Sequence, residues 1–411
     1  MEMMNPQEIR IEDYTYNLPP ERIAKYPLEE RDHAKMLYYA EGNIESYDFT
    51  DMPSLLPSNS VLVMNTTKVI RARLTFFRQT GARIEVFCLE PYSPSLYELS
   101  LSTKHEVIWH CLVGQSRKWK EEYLYQPLAD GALLRVSRVD GHCSSGSLIR
   151  FEWSNEMTFG ELLEHLGELP IPPYLNRDTE ESDLRDYQTV YAREEGSVAA
   201  PTAGLHFTED LLSRLKEKGV EQIPITLHVG AGTFLPVKSA TMGGHEMHTE
   251  VIEVRLSSLQ SIYNALLEKR PIVSVGTTST RTLESLYYMG IQVIESANDP
   301  LSVPQWIPYE TTTIASTEEA IKSLIDYLEA KGVDRLFGQT QLIIVPGYAY
   351  KLVDYLITNF HQPNSTLLLL VAAFIGSDWH KIYDFALRND YRFLSYGDGS
   401  LLKKRQVSSN V

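Results

Sequence analysis

The side chains able to do chemistry in this sequence gather at the ends of apolar runs. His206 lies in Ala203-Gly204-Leu205-His206-Phe207-Thr208, immediately ahead of a helical pattern. An imidazole at a helix N-terminus feels the positive end of the dipole, so its pKa falls and it can act as a neutral base or donor. A buried, hydrogen-bonded structural histidine is the plain alternative. Asn359-Phe360-His361 precedes an apolar helix in the same manner. The segment His245-Glu246-Met247-His248-Thr249-Glu250 holds two histidines and two glutamates within six residues. A zinc-protease helix needs its histidines four apart, and here they are three apart, with Thr249 at the fourth place. The segment reads as catalytic or substrate-contacting, or else as an exposed polar loop.

Two turns offer backbone chemistry. The apolar run Ile272–Val275 leads into Gly276-Thr277-Thr278-Ser279, with a helix expected over Thr280–Met289. Such a strand–polar turn–helix presents free N–H groups and a positive dipole end, which suits a phosphate or carboxylate, with Arg281 close by. Ordinary helix capping is the competing reading. No P-loop lysine is present, so a nucleoside triphosphate is disfavoured. Gly230 and Gly232 follow a strand as a dinucleotide motif would, but Thr233-Phe234-Leu235-Pro236 comes next where a helix should open. A Rossmann methyltransferase is therefore not expected.

The elements that must hold these groups fall into two textures. Ser60–Met64 reads as a buried strand ending at polar Asn65-Thr66-Thr67. Between about 71 and 150, short alternating segments such as Arg83–Phe87 and Leu133–Val136 are separated by Gly, Ser, Pro and Asp turns, as in a small antiparallel barrel or sandwich. Beyond Thr158 helices and strands alternate. Helices are expected at Thr158–His165, Thr208–Gly219, Ser257–Lys269, Thr317–Ala330 and Ser365–Phe374, with strands at Ile223–Val229 and Gln341–Val345. That order implies a mixed or parallel sheet covered by helices.

With 411 residues the chain is long enough for two or three domains. Its net charge of −16 argues against a nucleic-acid binder at first sight, although local basic patches act over short range. Arg117-Lys118-Trp119-Lys120 and Lys403-Lys404-Arg405 are such patches. Cys88, Cys111 and Cys143 lack the spacing of a zinc site and are odd in number, so they read as core residues. The opening MEMMNPQEIRIEDYTY has no signal-peptide pattern, and the longest apolar run, Leu367–Ile375, is too short to span a bilayer. A cytosolic, monomeric protein without membrane contact is expected.

Several strings taken in order carry a resemblance. They are LPPERIAKYPLEERDHAKML (18–37), VLVMNTTKVIRARL (61–74), GARIEVFCLEP (81–91), LPIPPYLNR (169–177) and YQTVYAREEGSVAAPTAGLHFTEDLL (187–212). TLHVGAGTFLPV (226–237), HEMHTE (245–250), VGTTSTRTLES (275–285), TNFHQPNSTLLLLVAAF (358–374) and YRFLSYGD (391–398) continue it. Together they resemble the S-adenosylmethionine:tRNA ribosyltransferase-isomerase family of queuosine biosynthesis, over nearly the whole chain. The block SVAAPTAGLHFTEDLLSRLKEKGVEQIPITL (197–227) is its clearest mark.

The resemblance implies a discontinuous mixed-sheet α/β domain, residues 1–70 and 151–411, carrying an inserted small antiparallel β-barrel at 71–150. It implies transfer and isomerisation of the ribosyl part of S-adenosylmethionine onto 7-aminomethyl-7-deazaguanine at the tRNA wobble position. The product would be epoxyqueuosine, with adenine and methionine released and no metal required. Such chemistry needs a base for the proton beside the sulfonium, an acid for departing adenine, and carboxylates or aromatic faces around the cation. His206, His245, Glu246 and His248 are assigned the acid–base work. Gly230, Gly232, Thr277, Thr278, Ser279 and Arg281 are assigned to S-adenosylmethionine, and Arg31, Asp32, Asn359 and His361 to substrate. The anticodon stem-loop of tRNA is the expected partner, with Arg117–Lys120 as part of its surface. Thr66, Lys68 and Arg71 depart from the family's usual residues, as do Gln362, Asn364, Gly399 and Ser400. Two alternatives follow: a divergent paralogue acting on another acceptor, and an inert tRNA-binding module.

Overall fold

A computed structural model describes residues 5–128, 130–140, 146–230 and 237–405. Numbered in chain order, the strands are β1 (Lys35–Ala40), β2 (Asn43–Asp48), β3 (Val61–Asn65), β4 (Thr67–Val69), β5 (Arg73–Phe77) and β6 (Arg83–Ser93). Then come β7 (Glu106–Gly114), β8 (Tyr123–Pro127), β9 (Leu133–Val139), β10 (Ser147–Glu152), β11 (Glu194–Ser197) and β12 (Glu221–His228). The last are β13 (Glu250–Arg255), β14 (Ile272–Val275), β15 (Ser302–Val303), β16 (Arg335–Thr340), β17 (Tyr355–Asn359) and β18 (Gly399–Lys403).

The larger sheet runs β15-β16-β13-β12-β3-β14-β17-β18-β1-β2. Its middle four strands, β12-β3-β14-β17, are mutually parallel, and antiparallel partners flank them. Central β3 and β14 are buried along their whole length, as Val-, Leu- and Ile-rich strands covered on both faces should be. Asn65, at the end of β3, pins the next strand: its amide donates to Leu227 O (3.0 Å) and accepts from Leu227 N (3.1 Å). The helix Gly276–Ile294 crosses one face and packs on the helix Thr317–Lys331. There Gly290 is required, because a Cβ would fall 2.1 Å from Ala320 O.

The second sheet, β5-β6-β7-β10-β9-β8, is antiparallel throughout, and its end strands β5 and β8 lie against each other, leaving it nearly closed. Trp109, Phe76 and Phe151 fill its core, together with buried Cys88 and Cys111; Cys143 lies outside the described residues. Among the described residues no helix is long and apolar enough to cross a membrane.

Two expectations need correction. The strand expected at Gln341–Val345 ends before it starts, since β16 stops at Thr340. The apolar run is buried; Gln341 and Ile343 still donate to Val303 O and Gln305 O on one side, but Leu342 and Val345 donate to the Thr340 and Tyr309 hydroxyls. The helix expected from Thr280 begins at Gly276, whose φ of +84° lets β14 turn directly into helix.

Candidate active site

Ligands of open α/β sheets settle beyond the carboxyl ends of the parallel strands. Here those ends deliver Val229 from β12, Gly276–Thr278 from β14, and Asn359–His361 from β17 to one cavity of about 340 Å³. Ala199–Ala203, Tyr174, Tyr187, Leu394 and Ser395 complete its wall. A second cavity of about 120 Å³ adjoins it, lined by His245, Met247, His248, Glu250 and Arg281. Both share Val237, Thr277, Thr278, Ser365 and Leu367, so the start of the helix Gly276–Ile294 forms their common wall.

The first chamber has no charged carboxylate, lysine or arginine among its described lining residues. His361 stands in it with Nε2 2.8 Å from the Thr358 hydroxyl, while its backbone N–H donates to Tyr383 Oη (3.0 Å). Burial pushes its pKa down to about 4, so the ring is neutral at pH 7. Asn359 accepts from the Thr202 hydroxyl (2.9 Å), and its buried Nδ2 has no partner in the protein. Ser279 Oγ and Arg281 Nε, on the shared helix, are also buried without partners. Unsatisfied buried donors are uncommon, and the Asn359 Nδ2 in the wall of the first chamber points to a ligand there. Tyr174, Tyr187 and Phe360 supply aromatic faces; burial pushes the Tyr174 hydroxyl up to about 12. Leu394 (φ 68°) and Asn364 (φ 56°) hold left-handed backbone in the wall, conformations that side-chain-bearing residues keep only when their surroundings enforce them.

In the second chamber Arg281 is already engaged. Its Nη1 lies 2.8 Å from Glu250 Oε2, and Nη2 donates to His248 O (3.0 Å) and Thr340 O (3.2 Å). This clamps the His245–Glu250 segment to the helix. Gln305 fixes the same segment, donating to His245 O (2.7 Å) and accepting from Met247 N (2.9 Å). Burial, followed by the charge of His248, lowers the pKa of His245.

Of the residues singled out from sequence, His245, His248, Thr277, Thr278, Asn359 and His361 line the two chambers. Arg281 lines the second as a clamp, its guanidinium paired with Glu250. Ser279 sits buried behind the wall. Glu246 is exposed and outside both linings. His206 also lies outside them. Its ring stacks on Phe49 (4.1 Å between centroids), with Nε2 2.7 Å from Gly397 O and Nδ1 3.2 Å from Ala203 O. Its pKa is lowered, as expected, but by burial first. Arg31 and Asp32 face a different, open cleft, where Arg31 donates to Arg185 O (2.7 Å) and Gln188 O (2.8 Å) and Asp32 accepts from Thr208 (2.7 Å). Gly232 lies outside the described residues; Gly230 is described and follows the lining residue Val229.

Sequence reasoning missed Tyr174, Tyr187, Thr202 and Ser395 in the lining. Tyr174 follows the rigid Pro172-Pro173 turn, a signal that could have marked it.

The buried histidines predict a pH response. His361 and His228 both have pKa values near 4 when folded, against 6.5 for the ordinary group. The unfolded chain therefore binds more protons between those values, and stability falls as pH drops through that window. Urea unfolding at pH 7 and pH 5 should differ by roughly 2 kcal/mol for each histidine. The difference should shrink in His228→Gln.

The family model described as "Queuosine biosynthesis protein" matches residues 11–402. An S-adenosylmethionine:tRNA ribosyltransferase-isomerase of Halothermothrix orenii is 37% identical over 398 residues, covering 96% of this chain and 100% of the relative. That of Aromatoleum aromaticum is 36% identical, covering 97% and 98%. The solved S-adenosylmethionine tRNA ribosyltransferase of Thermotoga maritima is 28% identical, with TM-score 0.46, over 95% of this chain and 99% of that one.

Proposed function

The chain belongs to the queuosine biosynthesis family of S-adenosylmethionine:tRNA ribosyltransferase-isomerases, and from that premise we propose that it acts on 7-aminomethyl-7-deazaguanine at the tRNA wobble position. It moves the ribosyl part of S-adenosylmethionine onto the aminomethyl nitrogen and rearranges it to the epoxycyclopentane of epoxyqueuosine. Adenine and methionine leave. The nearly closed sheet is then an inserted domain, 71–150, in an α/β domain built from 1–70 and 151–411.

The observation that carries this reading is the pair of chambers meeting at one helix N-terminus. The first, at about 340 Å³, lies at the small end of cofactor-sized pockets. Its aromatic faces suit a sulfonium, which is attracted to a ring's negative face. The N–H groups at Thr277 and Thr278, with Asn359 Nδ2, suit the methionine carboxylate. His361, held neutral by burial, accepts the proton from the ribose carbon beside the sulfonium. His245 and His248 border the second chamber, where a proton is supplied to departing adenine, methionine leaving as a neutral thioether that needs none.

His206 becomes a positioning residue in this reading. It ties the turn at Gly397 to the segment Ala203–His206, whose Ala203 lines the first chamber. His206→Gln should lower stability by about 1–2 kcal/mol through lost stacking and hydrogen bonding while leaving the shape of the pH–rate profile unchanged. A displaced profile would return it to the proton-transfer machinery.

Thr66 and Lys68 do not argue for another acceptor. Thr66 donates to Ile225 O (3.2 Å), Lys68 pairs with Glu195 (2.8 Å), and neither lines a chamber. Adenine release separates the readings. Release with tRNA bearing the deazaguanine base supports the proposal. Release only with another acceptor indicates a paralogue, and binding without release indicates an inert module.

A further inference from the structure

The loop carrying the target base must be gripped outside the chambers, and the surface near them offers an uncommon fitting. Tyr26 is 46% exposed, a large aromatic left in solvent. Its ring is nevertheless fixed. The Arg177 guanidinium lies 4.4 Å from the ring centroid, and its hydroxyl donates to Glu180 (2.6 Å). Arg177 is itself immobilised by two 2.7 Å bonds to Asp183, with further donation to Lys25 O (3.2 Å) and Asp178 O (3.0 Å). Asp183 is buried and also accepts from Tyr396 Oη (3.0 Å) and Glu180 N (2.8 Å).

This network reaches the first chamber. Tyr396 packs edge-on against Tyr187, which lines it, and Ser395 and Tyr174 beside them are lining residues hydrogen-bonded to each other. A half-buried, doubly bonded arginine beneath an exposed tyrosine is therefore coupled, through Asp183 and Tyr396, to the chamber wall.

Charge around Tyr26 is mixed: Glu180 accepts from its hydroxyl and Glu29, Glu30 and Glu209 line the adjoining cleft, so the ring, and not a basic field, is the fitting for a ligand here. Lys25 is exposed and makes no ion pair among the described residues. Arg392 donates to Tyr26 O (3.3 Å). Some carboxylates of the neighbouring open cleft are engaged: Asp186 with Arg31 and Arg185, and Asp32 with Thr208. The barrel patch at Arg117–Lys120 differs, since its aromatic residue, Trp119, is buried under Arg138 and only charge is displayed.

We infer that Tyr26, backed by Arg177, is a stacking platform for an unpaired base of the RNA loop, with Lys25 contacting the adjoining phosphate. This rests on the proposed action on tRNA. Exposed bases of single-stranded loops are held by aromatic and guanidinium planes, and loss of such a plane weakens binding severalfold to a hundredfold. Nothing in the stacking is sequence-reading, so the platform orients the loop while the chambers recognise the target base.

The test is fluorescence anisotropy of the full-length protein with a 5′-labelled anticodon stem-loop RNA, and with a duplex of the same length lacking a loop. Tyr26→Ala should weaken stem-loop binding about tenfold or more and leave duplex binding unchanged. Tyr26→Phe, which keeps the ring, should bind as the parent does. Lys25→Ala should reduce the salt slope of stem-loop binding by about one charge's worth, whereas Tyr26→Ala should leave the slope alone. Calorimetric binding of S-adenosylmethionine should be the same in all, reporting an intact chamber. Equal stem-loop affinities for Tyr26→Ala and the parent overturn the platform alone. Failure of the parent to bind the stem-loop overturns the platform together with the tRNA reading.

Discussion

Replacing His361 with glutamine should lower turnover by about 10²–10⁴-fold while changing the apparent affinity for S-adenosylmethionine little. Apart from the tyrosines, His361 is the titratable side chain lining the first chamber among the described residues. The Thr358 hydroxyl fixes its ring at 2.8 Å, and β17 fixes Thr358 in turn through its ladder with β18. A glutamine can keep the bond to Thr358 but cannot take up a proton at neutral pH. Burial keeps the imidazole neutral, with a pKa near 4, and therefore a weak base in solution terms. Fixed proximity to the reacting carbon is what offsets that weakness. Single-turnover adenine release checks this, and an undiminished rate in His361→Gln would move the base elsewhere, with His245 next in line.

Replacing Glu284 with alanine should unfold the protein or cost about 4 kcal/mol or more. This carboxylate is fully buried yet accepts four hydrogen bonds: from Tyr348 Oη (2.7 Å) and from the backbone of Lys351 (2.8 Å), Leu352 (3.0 Å) and Val353 (3.1 Å). Removing it strands four donors at roughly 1–3 kcal/mol each before relaxation. Desolvation raises its pKa, and the four donors oppose the rise. Glu284→Gln is only a partial rescue: with its NH₂ at the Oε2 position the Tyr348 hydroxyl can turn to accept, but the Lys351 N–H is left facing a donor. It should lose about 1–3 kcal/mol. Urea midpoints at pH 7 measure both. A Glu284→Ala midpoint equal to the parent's would remove Glu284 from its place as the anchor between the helix Gly276–Ile294 and the segment leading into β17.

How much of this was legible in the sequence depends on the kind of signal. Apolar period and caps located the helix Thr317–Lys331, whose Ser316 cap and Glu319 form a reciprocal box. They also located the apolar runs of β3 and β14. The turn after β14 was legible as a helix start, and it lines both cavities, although its first residue was misplaced because Gly276 uses a backbone angle that other residues avoid. What was not legible is which polar groups are already satisfied. Arg281 looked available until Glu250, 31 positions earlier in the chain, took its charge. His206 looked like a catalyst at a helix entrance until Phe49 and Gly397, brought in from distant segments, enclosed it. Asn359 and His361 carried only a local pattern in sequence. Their importance comes from the convergence of three strand ends, which no single window of residues contains.

A structure of the protein with S-adenosylmethionine bound decides whether that molecule occupies the chamber at the start of the helix Gly276–Ile294. The sulfonium should lie among Tyr174, Tyr187 and Phe360, with Asn359 Nδ2 and the N–H groups at Thr277 and Thr278 donating to the ligand. A ligand lodged instead in the open cleft beside Arg31 and Asp32, with the chamber empty, would contradict this placement.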